Sequence, residues 1–264
     1  EEKLKKGYPQ TFRTNWAKFA SEKIIPTVKE LQAADLFRAI TLSLQSLDET
    51  TLDIIKRENL KFDKFSNLTN QFRVAGIPSY TELIMGLPGE TLESFKKGLE
   101  IIMSDKNVGT LMIYNCGILP NAPMNEPWYM EKYKIKTVRS PILLQHSSIH
   151  HRGIEEYEYI VTSTTSFTTP ELKEMYILSW AVQTFHSFGV LEYIQRYYES
   201  MNGLSVMKFY DSFLEFCKTK ESIFSREYEK LTKHVDNGYG GKGWSHHDSQ
   251  LGDLIWPFDE ASFL

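Results

Sequence analysis

The chain has 264 residues, of which 41% are hydrophobic and 24% charged, with a net charge of -4. This composition is typical of a folded protein, and the absence of a basic field excludes nucleic acid as an expected partner. Apolar runs such as residues 177–182 are too short to span a bilayer, and no signal peptide is visible. Two distant cysteines, Cys116 and Cys217, do not suggest a disulfide-stapled secreted protein, so we expect a cytoplasmic protein without a membrane partner.

The first half of the chain alternates strand and helix patterns. The predicted elements are a strand over 9–15, a helix around 24–31, a strand over 39–44, a helix after residue 48, a helix over 62–75, a strand over 79–85, a helix over 92–102 and a strand over 110–116. Asp48 stands where an N-cap belongs and Gly76 where a C-cap glycine belongs, whereas Pro26 should disturb the middle of its helix. Alternating strands and helices predict a mostly parallel sheet, and four parallel strands are too few to close a barrel.

From Pro120 onward the pattern changes to an irregular, proline-marked crossing and then to a mainly helical sequence. The predicted elements there are a strand over 157–164 and helices over 170–198 and 205–234. The glycine-rich residues 238–244 are expected to be loose. We therefore predict two regions, an α/β region over residues 1–125 and a mainly helical region over residues 126–264.

The most informative stretch is residues 82–90, which read ELIMGLPGE. An apolar strand that carries one acid, Glu82, runs into Gly86 and Gly89, and an amphipathic helix follows. The glycines allow a sharp turn with bare peptide groups, against which a flat ligand could lie. A carboxylate in an apolar strand needs a partner or a ligand. Taken alone, the pattern is at least as typical of an ordinary strand-turn-helix corner.

Together with residues 43–49 (SLQSLDE) and the arginine at 57, this stretch resembles the radical S-adenosylmethionine (SAM) superfamily. The resemblance covers roughly residues 12–123. The run at 119–124 (LPNAPM) is similar to the segment after the sixth strand in members that carry a cobalamin-binding domain upstream. The resemblance implies an α/β fold in which residues 1–125 form the second half of a parallel (β/α)6 partial barrel, followed by a mainly helical C-terminal region.

The resemblance also implies a set of SAM-binding residues. They are Asn15, Gln45, Arg57, Glu82, Ile84 and Gly86. Arg57, twelve residues after the strand-end Gln45, would bind the SAM carboxylate through its guanidinium group; the alternative is a solvated arginine at a helix end. Gln45 can donate to and accept from a ribose hydroxyl or an amino group, or it could satisfy a loop backbone instead.

Three further roles follow from the same resemblance. Glu82 would accept hydrogen bonds from the ribose hydroxyls, although a buried salt bridge is an equal alternative. Ile84 and Gly86 would lie on either side of the adenine, largely through backbone contacts. Asn15, on the earliest predicted strand, would reach the ribose or the ammonium group.

One feature departs from the family pattern. Members hold a [4Fe-4S] cluster through three cysteines spaced Cys-x3-Cys-x2-Cys, and only Cys116 and Cys217 are present here. The resemblance therefore implies cluster ligands upstream of Glu1 and a fragment of a longer protein, or a degenerate homologue that lost the cluster. The histidines at 146, 150, 151, 246 and 247 are expected to face the surface or a substrate, and no metal site is predicted.

The expected function is that of the C-terminal part of a radical SAM enzyme. In the intact protein, the cluster would cleave SAM to a 5′-deoxyadenosyl radical, or SAM and cobalamin would jointly deliver a methyl group. The isolated fragment should be inactive, and the substrate, a small molecule or a peptide, is not specified. The alternative is a non-catalytic α/β module that binds a nucleotide-like ligand or a protein partner. An exposed half-barrel edge would favour self-association.

Overall fold

The computed structural model describes residues 2–12, 21–143, 146–148 and 154–257. The α-helices in these ranges are α1 (Glu2–Lys6), α2 (Ile25–Ala33), α3 (Glu49–Ile54), α4 (Phe62–Val74), α5 (Leu92–Ser104), α6 (Pro127–Lys132), α7 (Thr169–Ala181), α8 (Glu192–Asn202), α9 (Val206–Thr219) and α10 (Ile223–Asn237). The strands are β1 (Ile40–Gln45), β2 (Ser79–Met85), β3 (Thr110–Asn115), β4 (Gly117–Ile118), β5 (Lys136–Ile142), β6 (Glu156–Ser163), β7 (Ser245–His246) and β8 (Trp256–Pro257).

Strands β1, β2 and β3 form a parallel sheet in that order. Alternate residues face the helices and are buried, because side chains on a strand alternate between its two faces. These residues are Ile40, Leu42, Leu44, Leu83, Met85, Leu111 and Ile113. The residues between them are partly buried or, at Tyr114, exposed, and we call this side the open face. It comprises Thr41, Ser43, Tyr80, Glu82, Ile84, Met112 and Tyr114.

Helices α4, α5 and α7 pack into the core on the buried side of this sheet. Phe65 and Phe72 of α4, Leu99 of α5 and Met175 of α7 are each at most 1% exposed. Helix α5 begins with a capping box in which the Thr91 hydroxyl accepts from the backbone of Ser94. The fold is thus a mixed α/β structure with a three-stranded parallel sheet and many helices, and the expected parallel pairing is confirmed.

Two predictions near the amino terminus need correction. The strand expected over 9–15 is not present over residues 9–12, where the Phe12 N–H makes a backbone bond to Leu36 O at 3.3 Å outside any strand. Residues 13–15, and with them Asn15, lie outside the described residues. Pro26 does not disturb the middle of its helix: it lies in the first turn of α2, where its missing N–H costs no intrahelical hydrogen bond.

The second half contains an antiparallel sheet of order β4-β6-β5, followed by helices α7 to α10. The helix predicted over 170–198 is interrupted by a π-helical turn, Val182–Ser187, and by a bend at Gly189 with φ +78°. The helix predicted over 205–234 is two helices, because the Ser222 hydroxyl caps a new start at α10. None of the helices in the described ranges is long and apolar enough to cross a bilayer.

The glycine-rich residues 238–244 are not loose, as the composition suggested. Tyr239 is only 7% exposed, and its hydroxyl donates to Asn115 Oδ1 at 2.8 Å. Trp244 stacks on Tyr176 with ring centroids 4.7 Å apart. A Cβ atom on Gly238 would lie 2.6 Å from the Trp244 ring, so this glycine is required by close packing. The division of the chain at residue 125 stays a prediction.

Candidate functional site

The carboxyl ends of β1 and β2 meet at one edge of the parallel sheet. Ser43 of β1 is paired with Glu82 of β2, and after an irregularity in register Gln45 is paired with Leu83. Because neighbouring parallel strands end at the same edge, the backbone brings Gln45 close to the turn that starts at Gly86. Ligands of parallel α/β folds bind at this edge.

Glu82 lies on the open face and accepts a hydrogen bond from the hydroxyl of Ser43. The distance from Ser43 Oγ to Glu82 Oε2 is 2.5 Å, which is typical of a charge-assisted O–H···O⁻ bond. The hydroxyl therefore fixes one carboxylate oxygen of Glu82. The sequence analysis assigned no role to Ser43. The alternation of polar residues with leucines in β1 nevertheless predicts that Ser43 faces the same side of the sheet as Glu82.

Arg57 does not extend into solvent from a helix end; it folds back onto β1. Its Nη2 donates to the carbonyl oxygen of Ser43 at 2.7 Å, and its Nε donates to Asn59 Oδ1 at 3.3 Å. Partial burial lowers the pKa of the Arg57 guanidinium, which nevertheless stays charged at neutral pH. Arg57 and Glu82 therefore both contact Ser43, one through its carbonyl group and the other through its hydroxyl.

Gln45 ends β1 in an unusual backbone conformation. Its φ is +61°, in the left-handed region that residues other than glycine rarely adopt. The register of β1 on β2 shifts between Ser43 and Gln45, as at a β-bulge. Bulges and left-handed residues of this kind re-aim a side chain at the end of a strand. The expected position of Gln45 at the strand end is confirmed, while its role as a ligand contact stays a prediction.

Ile84 and Tyr114 form an apolar part of the open face. They are paired in register on β2 and β3, and Tyr114 is 46% exposed. An isoleucine beside an exposed aromatic ring offers a flat surface that suits a planar base.

The turn after β2 is held by Glu90, whose role the sequence analysis did not assign. Its side chain is 2% exposed; Oε2 accepts from the Gly86 N–H at 2.9 Å, and Oε1 accepts from Ser46 Oγ at 3.2 Å. The pKa of Glu90 is raised to about 8, mainly by burial and in smaller part by the charge of Asp48, against the lowering effect of these hydrogen bonds. Glu90 is therefore mostly protonated at neutral pH.

The glycines of this turn are required by packing as well as by backbone conformation. Gly86 has φ +82° and Gly89 has φ +98°. A Cβ atom on Gly86 would lie 3.0 Å from Leu172 Cδ1, and one on Gly89 would lie 2.6 Å from Ile54 Cδ1. The close approach is therefore to helices α7 and α3, and a ligand is not needed to explain it.

The chain does not offer the donor set that a [4Fe-4S] cluster requires. Its two cysteines, Cys116 and Cys217, are both buried and free. Burial raises the pKa of Cys116 to about 12, so this thiol is protonated at neutral pH. Within the described residues, no group of three or more His, Cys, Asp or Glu side chains could hold a metal ion. His146 packs edge-on against Trp256 at 5.2 Å, and residues 150 and 151 lie outside the described ranges.

No family model matches the chain. The cobalamin-dependent radical SAM methyltransferase TokK of Streptomyces tokunonensis is 31% identical over 210 residues, which make up 80% of this chain and 31% of that protein. The 2-(S-pantetheinyl)-carbapenam-3-carboxylate methyltransferase of Streptantibioticus cattleyicolor is 29% identical over 228 residues, or 86% of this chain and 33% of that protein.

Among solved structures, the radical SAM methyltransferase TsrM of Kitasatospora setae, with tryptophan and a SAM analog bound, has a TM-score of 0.39. It is 15% identical and covers 58% of this chain and 33% of its own. The chain spans about a third of the length of the curated relatives that it matches. The sequence matches to these relatives extend over most of the chain, and the resemblance carried by the strand-end motifs is confirmed: this chain is a homologue of cobalamin-dependent radical SAM methyltransferases and belongs to the radical SAM superfamily.

Proposed function

We propose that the carboxyl ends of β1 and β2 bind SAM in a radical SAM methyltransferase, and that this chain is the C-terminal part of that enzyme. The observation that supports the proposal is the convergence of Arg57 and Glu82 on Ser43, next to the Gly86 turn. A cation, a carboxylate with a free oxygen and an apolar surface match the carboxylate, the ribose diol and the adenine of SAM.

Each residue has a role in this proposal. Arg57 binds the SAM carboxylate through N–H groups that point away from Ser43, and Glu82 accepts from a ribose hydroxyl through the oxygen that Ser43 leaves free. Ile84 and the backbone at Gly86 support the adenine, while Gln45 contacts the amino group or the ribose. When bound, SAM supplies an activated methyl group or, after reductive cleavage, an adenosyl radical. The residues of this chain bind and orient it.

The [4Fe-4S] cluster and cobalamin belong to other parts of the enzyme in this proposal. The two cysteines of the chain are buried and too few for such a cluster. We propose that residues 1–125 complete a (β/α)6 partial barrel together with upstream strands. The partly exposed open face supports this, because parallel sheets are nearly always covered on both faces.

The partners and the compartment remain proposals as well. We propose a small-molecule or peptide substrate, no nucleic-acid or membrane partner, and a cytoplasmic location. We also propose self-association through the exposed edge of the half-barrel. The negative net charge and the two free cysteines support the absence of nucleic acid and a reducing compartment, respectively.

A calorimetric titration of the 264-residue chain with S-adenosylhomocysteine tests the proposal. The wild-type chain should bind, and Glu82→Gln should weaken binding at least about tenfold, because a hydrogen bond to a charged group contributes about 1.5–3 kcal/mol. Glu156→Gln is the matched control, since Glu156 is exposed on the other sheet. Absence of binding by the wild-type chain, or equal affinity in Glu82→Gln, would contradict the assignment.

A second measurement separates the enzyme from a binding module. In the intact protein, anaerobic reconstitution with iron, sulfide and cobalamin should yield methyl transfer from labelled SAM, and Glu82→Gln should reduce it. Binding of S-adenosylhomocysteine without any methyl transfer would favour the non-catalytic module instead.

A further inference from the structure

A series of hydrogen bonds connects Arg57 at the end of β1 to the Gly86 turn at the end of β2. Arg57 Nε donates to Asn59 Oδ1 at 3.3 Å, and Asn59 Nδ2 donates to the carbonyl oxygen of Ser46 at 2.7 Å. Ser46 Oγ bonds to Glu90 Oε1 at 3.2 Å, and Glu90 Oε2 accepts from the Gly86 N–H at 2.9 Å. The series joins two strand ends independently of the backbone ladder between β1 and β2.

The inner members of this series are buried, which makes their geometry well defined. Ser46 is 4% exposed and Glu90 is 2% exposed. A buried polar group that loses its partner is left without water to replace it, so these groups are held in their observed arrangement. The side-chain amide of Asn59 bonds to both neighbours, since its oxygen accepts from Arg57 and its nitrogen donates to the Ser46 carbonyl group. Any displacement of Ser46 would therefore also displace the acceptor of Arg57.

We propose that Asn59, Ser46 and Glu90 are positioning residues that hold Arg57 and the Gly86 turn at a fixed separation. This inference rests on the proposed function, in which Arg57 binds the carboxylate end of SAM and the turn binds its adenosyl end. A ligand that contacts both ends gains affinity when their separation is set in advance. A ligand that contacts only the turn gains nothing from Asn59.

The protonation state of Glu90 provides a way to test the series. In the carboxylate form both oxygens of Glu90 accept, one from the Gly86 N–H and the other from the Ser46 hydroxyl. In the protonated form the first bond is kept and the second is reversed, because the carboxyl O–H then donates to Ser46 Oγ. Glutamine has the same acceptor and donor pattern, so Glu90→Gln should preserve the series, whereas Glu90→Ala should remove it. The titratable groups that act on Glu90 from the neighbouring elements are Asp48, the N-cap of α3, and the Cys116 thiol after β3.

The experiment compares two probes on the 264-residue chain by calorimetry. S-adenosylhomocysteine carries both the carboxylate and the adenosyl group, whereas 5′-methylthioadenosine lacks the carboxylate. Asn59→Ala should lower the affinity for S-adenosylhomocysteine about five- to twentyfold and change the affinity for methylthioadenosine by no more than about twofold. Arg57→Ala should have the same effects. Glu90→Ala should weaken both probes, and Glu90→Gln neither. Asn67→Ala, at an exposed position of α4, is the control.

The pH dependence of the affinity is a further test, because a merely structural role of Glu90 would not change it. Between pH 6.5 and 9, the affinity of the wild-type chain for S-adenosylhomocysteine should fall above pH 8 relative to that of Glu90→Gln. Comparison of the two proteins cancels the titration of the ligand itself. Equal weakening of both probes by Asn59→Ala, or identical pH profiles of the two proteins, would overturn the proposal.

A ligand-free measurement keeps this test distinct from that of the proposed function. The amide resonance of Gly86 should titrate near pH 8 in the wild-type chain, should not do so in Glu90→Gln, and should shift in Asn59→Ala. A Gly86 resonance that is unchanged by Asn59→Ala would overturn the coupling even if SAM analogues bind. If the wild-type chain binds neither probe, the SAM assignment fails, while the Gly86 resonance still decides whether the series couples the two strand ends.

Discussion

The parallel-sheet region buries a carboxyl group, whereas the helical region buries two imidazole groups. The carboxyl group is that of Glu90, which is hydrogen-bonded to the turn and has its pKa raised to about 8. The imidazole groups are those of His186 and His234, which lie among aromatic rings and are each 8% exposed. Burial raises the pKa of the acid and lowers that of the bases, so both regions exclude charge by the same physical cause. The comparison predicts opposite responses of the two regions to pH.

The largest expected effect tests whether the two regions are one folding unit. Leu231 of α10 is fully buried, in a hydrophobic core that also includes residues of the parallel sheet. Leu231→Ala should lower the free energy of unfolding by about 2–5 kcal/mol, since it removes buried apolar volume and leaves a cavity. In urea denaturation, tryptophan fluorescence and far-ultraviolet circular dichroism should shift together.

Val74→Ala is a control for this change, because Val74 is 74% exposed at the end of α4. Two separate transitions in Leu231→Ala, with the sheet region unaffected, would show that the regions unfold independently.

The next effect concerns Glu90. Its pKa in the folded protein, about 8, lies above the ordinary value of 4.5, so the folded state binds the proton more tightly than the unfolded chain. This contribution to stability is fully present below pH 4.5 and is lost as pH rises through 8, at up to about 1.4 kcal/mol per pH unit. Glu90→Gln should flatten the stability profile between pH 5 and 8 in urea titrations. An unchanged slope would show that the carboxyl group is already ionised at pH 5.

The histidines of the helical region should respond in the opposite direction. Burial lowers the pKa of His186 and of His234 from 6.5 to about 4, with nearby glutamates opposing the shift at His186. The stability that depends on their neutral forms is present above pH 6.5 and is lost as pH falls through 4. His234→Gln should therefore reduce the loss of stability in acid. Histidine resonances that titrate near 6.5 in the folded protein would contradict this.

The sequence predicted what depends on local patterns. The strand over 79–85 has the predicted limits, and Asp48 caps α3 by accepting from the Thr51 N–H at 2.8 Å. Both depend on neighbouring residues only, since caps and strand alternation are local. The radical SAM motifs likewise placed Gln45 and Gly86 at strand ends that the fold brings to one edge.

Contacts between distant residues could not be predicted in this way. The bond of Ser43 to Glu82 spans 39 positions and depends on the register of β1 on β2. The bond of Ser46 to Glu90 spans 44 positions. The glycine-rich segment was expected to be loose, and this expectation was wrong. Its order comes from the stacking of Trp244 on Tyr176, which lies far away in sequence. Composition describes the backbone freedom of a segment, whereas its order depends on what packs against it.

The smallest expected effect tests a direct link between the two regions. The Tyr239 hydroxyl, from the segment after α10, donates to Asn115 Oδ1 at 2.8 Å at the end of β3. Tyr239→Phe keeps the ring in its buried position and removes this bond, which should cost about 0.5–1.5 kcal/mol of stability. Tyr133→Phe is a matched control, because the Tyr133 ring packs against Tyr129 at 4.6 Å and the same hydroxyl group is removed.

The site of the effect is more informative than its size. If Tyr239 anchors the glycine-rich segment to the parallel sheet, hydrogen exchange in Tyr239→Phe should accelerate over residues 238–244 and at the end of β3, and should stay unchanged in α4 and β1. A uniform acceleration across the chain would instead mean that the bond supports only global stability. Acceleration limited to residues 238–244 would mean that the sheet edge holds its shape without the helical region, and the two regions would then be linked by apolar packing alone.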